Sequence, residues 1–227
     1  PGFLSEIEVR MKMSEQQTTL YYVYDPLCGW CYGAAPLLQA AATLDGLKIE
    51  LHAGGLWLGS RRQPMGEALR DYVRPHDQRI EALTGQHFGE RYFNELLLRE
   101  GSLLDSEQPI RAVLAVTALG GDGLAMLHRI QQSHYRDGIW IGEPAFLATL
   151  AAEQGIAAEA FQQAYLQAPL LPHLAASQGW MQRLGGQGYP TLGLMHNGRV
   201  TPVRVADFLG DPDGLRAHLL TLLNNAG

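Results

Sequence analysis

The chain reads as an α/β fold in which a βαβ unit and a ββα unit are separated by a large all-helical insertion. Three patterns predict it. A β-branched and aromatic run at 18–24 and an alternating apolar–polar run at 47–53 flank a helical stretch at 32–44. From about 64 to 172 the apolar spacing is helical, with no strand. Near the C-terminus two apolar runs, 191–196 and 199–205, are joined by Asn197-Gly198 and followed by an amphipathic stretch at 212–224.

Taken in order, TTLYYVY at 18–24 reads as a buried strand, broken by Asp25-Pro26 because proline gives no ladder hydrogen bond and biases Asp25 away from helical angles. The helix that follows carries Leu37, Leu38, Ala41 and Leu44 on one face, should kink at Pro36, and ends at Asp45-Gly46. A strand, a helix and a second strand imply parallel strands with a right-handed crossover. In the insertion, helical stretches fall at 64–73, 76–84, 88–99, 108–119, 122–137, 143–154 and 157–167, with Glu143-Pro144 opening one of them. A further helix at 173–184 stops at Gly185-Gly186. Asn-Gly suits a type I′ turn, so the last two strands form a hairpin, and Pro202 places the second of them at a sheet edge. Residues 14–62 and 173–227 are thus expected to form one domain and 63–172 an inserted helical domain. Residues 1–13 read as a vector-derived or disordered N-terminus, with Met13-Ser14 as the natural start.

Composition narrows the function. Of 227 residues, 46% are hydrophobic and 18% charged, which suits a packed core rather than disorder. A net charge of −6 disfavours nucleic acid as the main partner. No apolar run approaches the ~20 residues of a membrane span, and no secretory signal is visible, so the expected compartment is the cytoplasm, or the periplasm if a signal has been removed. The eight histidines are scattered and a single Cys-x-x-Cys offers only two metal ligands, so no metal site is expected. No glycine-rich phosphate loop is present.

Both cysteines of the chain, Cys28 and Cys31, lie between the first strand and its helix. That position inside a βαβ pattern is a redox signal. Cys28 stands at the helix start, where free N–H groups and the helix dipole favour a thiolate, so it is the expected nucleophile. Cys31 follows on the same face, more buried, as the expected resolver of a mixed disulfide. Gly29 and Trp30 lie between them, and Trp30 offers an apolar surface for a peptide substrate. Asp25 reads as a turn former, His52 as a strand residue, Gly54-Gly55 as turn glycines, and Trp57, Trp140 and Trp180 as core or groove surface.

These motifs carry a resemblance. DPLCGWCYGAAP, the helical insertion and GYPTLGL before a hairpin resemble the DsbA family of thioredoxin-like proteins, in the branch that includes FrnE-type proteins and relatives of 2-hydroxychromene-2-carboxylate isomerase. The resemblance covers about residues 18–225 and implies a thioredoxin fold, a cis bond before Pro190, and a Tyr189–Pro190 segment that lies against the cysteines and pairs with substrate. It implies a protein-disulfide oxidoreductase or isomerase acting on protein or peptide thiols and disulfides, with no cofactor and with glutathione as a candidate redox partner. The chain departs from familiar members at Tyr22, where many carry a buried carboxylate, and at Gly29-Trp30, which has neither histidine nor proline. An intermediate or reducing potential is therefore expected. Two other classes share the pattern: a glutathione-dependent isomerase or kappa-class glutathione transferase, whose relatives usually have serine at the Cys28 position, and a non-enzymatic binding module or chaperone.

Overall fold

The computed structural model describes residues 18–224. The reading of residues 1–13 falls outside them. The sheet has four strands: β1 (Thr18–Tyr24), β2 (Leu47–Ala53), β5 (Thr191–His196) and β6 (Arg199–Val203). Their order is β2-β1-β5-β6, with β2 parallel to β1, and β5 antiparallel to both β1 and β6. β1 is buried along its whole length because both faces are covered. Leu20, Tyr22 and Tyr24 enter the main core, while Tyr21 and Val23 join a second cluster with Leu184, Trp180 and Met181. The first cluster lies under α2 (Ala35–Ala42) and α9 (Pro212–Asn224), the second under α8 (Leu170–Arg183).

The hairpin forms as Asn197-Gly198 requires, with φ of 49° and 74° at the two turn residues, and β6 is the edge strand that Pro202 demands. The expected helix at 32–44 is two: α1 (Gly29–Gly33), starting right after Cys28, and α2. They separate at Ala34, and Pro36 sits in the first turn of α2, where its missing N–H costs no helical hydrogen bond.

Between β2 and β5 stand the inserted helices. A two-residue ladder, β3 (Gln63–Pro64) with β4 (Leu103–Leu104), ties the insertion's first segment together, a strand pair too short for a sequence period to show. Between them, α3 (Glu67–Thr84) runs straight through Pro75, where two helices are expected from sequence. Pro75 is exposed, so the loss of one hydrogen bond faces water, and the buried stripe of Leu69 and Ile80 holds the helix together. The stretches at 88–99 and 122–137 end in π-helical turns, Tyr92–Leu96 and Gln132–Arg136, the second continuing α5 (Gly123–Gln131). Around α4 (Glu107–Ala118) pack α5, α6 (Pro144–Ala152) and α7 (Ala158–Gln167).

Candidate active site

The end of β1 delivers the site. Asp25 closes an Asx turn by accepting from the Leu27 N–H at 2.9 Å, and its backbone carbonyl accepts from the Cys28 N–H at 3.2 Å. Cys28 has extended angles (φ −100°, ψ 115°) and caps α1, its carbonyl accepting from the N–H groups of Cys31 at 3.0 Å and Tyr32 at 3.1 Å. Both thiols are free. Cys28 is 7% exposed and Cys31 0%, so only the first can meet a substrate without the helix opening.

The Cys28 thiol donates to the Tyr189 carbonyl at 3.5 Å, and Tyr189–Pro190 is a cis peptide bond. Chain segments 161 positions apart in sequence therefore meet at the sulfur. Gly54 makes the approach feasible: a methyl there would stand 2.1 Å from the Tyr189 ring. Gly54 is thus a close-approach glycine rather than the turn glycine expected, while Gly55, at φ 72°, is a turn residue.

Beneath the pair, the Tyr22 hydroxyl donates to the Cys31 carbonyl at 3.4 Å. Burial pushes the Cys31 thiol well above its ordinary range, and its hydrogen bond with Cys28 adds to the rise. Asp25 is more than a turn former. It is fully buried and also accepts from the Leu56 N–H at 2.6 Å and the Ser106 hydroxyl at 2.9 Å. Burial raises its carboxyl to about 6, against the pull of those hydrogen bonds.

A cavity of about 270 Å³ opens beside Cys28, lined by Gly29, Trp30, Trp57, Asp77, Tyr92 and His134, among others. Trp30 is half-buried against the core, and Trp57 is a groove wall whose indole N–H donates to the Leu27 carbonyl at 3.1 Å. The insertion supplies Asp77 on α3 and, from the two π-helical turns, Tyr92, His134 and Tyr135. None of these, nor Ser106, is singled out by the sequence reading. Asp77 left a trace there: it shares a face with Leu69, Val73 and Ile80, a carboxylate within an apolar stripe, which the expected break at Pro75 conceals. His52 lies away from the cysteines, bonded to Glu50 at 2.9 Å and near the rings of Tyr21 and Trp180. Among the described residues, no group of three or more His, Cys, Asp or Glu side chains gathers to hold a metal, and no helix is long and apolar enough to cross a membrane.

No protein-family model matches the chain, and neither does any curated protein. Solved structures do. The cytosolic disulfide reductase DsbM from Pseudomonas aeruginosa is 48% identical, with a TM-score of 0.84 over 92% of this chain and 100% of that one. The chain belongs to the DsbA-like family that includes DsbM. It is a thiol–disulfide oxidoreductase with a thioredoxin fold carrying a helical insertion. DsbM has also been solved with GSH, at 47% identity and a TM-score of 0.82 over 91% of this chain and 99% of that one. A 2-hydroxychromene-2-carboxylate isomerase, 16% identical with a TM-score of 0.59 over 92% of this chain and 99% of that one, shares the fold.

Proposed function

We propose that Cys28 is the nucleophile and Cys31 the resolving thiol of a disulfide reductase that draws its electrons from glutathione. The observation that carries this is the thiol of Cys28, at the start of α1 and 3.5 Å from the Tyr189 carbonyl, with Cys31 buried behind it. The Cys28 thiolate attacks one sulfur of a substrate disulfide and the other leaves as a thiolate. Cys31 loses its proton and attacks Cys28 Sγ, so the second substrate thiol departs and a Cys28–Cys31 disulfide remains. Two electrons have passed to the substrate. Two glutathione molecules then restore the dithiol by the same exchange and leave as glutathione disulfide.

Gly29, Trp30, Tyr189 and Pro190 are the proposed substrate contacts. The backbone of Tyr189 would pair with an extended peptide, and Trp30 would cover its apolar side chains. The substrates are protein or peptide disulfides, and the proposed compartment is the cytosol; both readings draw on the description of DsbM as a cytosolic disulfide reductase and on its complex with GSH. The reducing direction also fits the absence of a histidine between the cysteines and the phenol of Tyr22 beneath them.

Insulin reduction in a glutathione buffer tests the assignment. Cys28→Ser should abolish it, and Cys31→Ser should accumulate a mixed disulfide at Cys28. Equal turnover by Cys28→Ser and the wild type would overturn the reading. The potential should lie well below the about −120 mV of strong oxidants.

A further inference from the structure

We propose that Asp77, carried by the inserted helix α3, is the charge that faces the dithiol and holds it toward the reducing end of the scale. The inference rests on the oxidoreductase reading and adds to it a residue from outside the cysteine motif. A methyl at Gly29 would stand 2.7 Å from Asp77 Oδ1, so the carboxylate touches the residue directly bonded to Cys28, one Cα step (~3.8 Å) away. Asp77 and Cys28 line the same cavity. Asp77 is 4% exposed, and among the described residues its side chain accepts from the Tyr92 hydroxyl at 3.0 Å. Asparagine would accept that bond equally well without a charge to bury, so a merely structural role does not account for the carboxylate. Asp25 also bears on the pair, its charge raising Cys31, but it differs in surroundings: the Leu27 and Leu56 N–H groups and the Ser106 hydroxyl donate to its oxygens.

A negative charge beside Cys28 disfavours the thiolate. Whatever disfavours the thiolate destabilises the reduced form, and a less stable reduced form is a stronger reductant. Burial raises the Asp77 carboxyl to about 7, and the Tyr92 hydrogen bond pulls it back. The charge therefore appears as pH rises through neutrality. Facing it are Cys28 from the start of α1, Tyr92 from the first π-helical turn, His134 and Tyr135 from the second, and Tyr72 and His76 from α3 itself. Burial holds His134 neutral by lowering it to about 3 and raises Tyr92 and Tyr135 well above their ordinary range. Arg74, also on α3, lies over the Phe93 ring at 5.0 Å. His76 is exposed where it lines the cavity, and the His76→Gln variant is the control on the same helix.

The test equilibrates the full chain with glutathione buffers across the neutral range. At about pH 8, Asp77→Asn should shift the equilibrium about threefold toward the reduced pair, because removing a like charge favours the thiolate form. At about pH 6 the two proteins should coincide, because Asp77 is protonated there. Tyr92→Phe removes the donor that favours the carboxylate, so the inflexion should move to higher pH. His76→Gln should leave the inflexion in place. An Asp77→Asn profile superimposable on the wild type, or offset equally at both pH values, would overturn the proposal. Should Asp77→Asn not fold, an unmoved inflexion in Tyr92→Phe overturns it instead. If the oxidoreductase reading itself were wrong, the wild type would show no dithiol equilibrium at all.

Discussion

Gly29 has no side chain, and the space a methyl would need is held by Asp77 Oδ1. Ile80 crowds Gly33 in the same way, at 2.6 Å from the position of an added methyl, so α1 lies directly on α3 through two glycines one turn apart. Gly29→Ala should cost about 1–3 kcal/mol by overpacking. In an Asp77→Ala background the penalty should largely vanish, a coupling of at least about 0.5 kcal/mol readable in denaturant titrations of the four proteins. Additive losses would mean that the crowding is relieved elsewhere. Cys28 and Cys31 are legible in the sequence because local rules expose them, spacing and helix start, whereas the Tyr189–Pro190 segment is legible only through the family resemblance, since on its own it reads as an ordinary turn proline. Asp77 is not legible, because its meaning lies in a contact with a segment far away along the chain.

At the scale of elements, Asp25 is a clamp. One carboxylate gathers the end of β1, the loop after β2 through the Leu56 N–H, and the residue preceding α4 through Ser106. The Ser106 hydroxyl in turn accepts from the Trp57 N–H at 3.1 Å. Ser106→Ala should cost about 2–3 kcal/mol, since it loses a hydrogen bond to a charged group and leaves the Trp57 N–H without its acceptor. Asp25→Ala strands the Leu27 and Leu56 N–H groups and the Ser106 hydroxyl and should cost about 3 kcal/mol or more, measured by chemical denaturation. A loss below that of Ser106→Ala would show that the clamp is not made. The strands and hairpin were readable because their period and turn chemistry are local. The helices were readable in kind but not in extent: Pro75 does not end α3, since its missing bond faces water, and the π-helical turns arise from packing among Tyr92, His134 and Tyr135, which no periodicity encodes.

For the molecule as a whole, buried titratable groups pull stability in opposite directions with pH. Burial lowers His128 to about 4 and His134 to about 3 from 6.5. Their folded values are depressed, so the stability they confer is present above about pH 6.5 and lost as pH falls toward those values. Asp25 and Asp77 are raised, to about 6 and about 7 from 3.8, so their contribution is present below about pH 4 and lost as pH rises through the folded values. His134→Phe isolates one limb. Between about pH 7 and about pH 5 the variant should gain about 2 kcal/mol relative to the wild type, judged by urea denaturation at both. No relative gain would mean that His134 is protonated in the folded chain.

The contact between α1 and α3 also limits how such a protein can be re-engineered. A designer who replaces Gly29 with a larger residue would be rebuilding a helix junction, not editing a loop. Trp30, half-buried on the cavity wall, is the freer of the two positions. A new redox character at position 29 calls for a matched change at position 77, so the two form a single design variable split across distant parts of the chain.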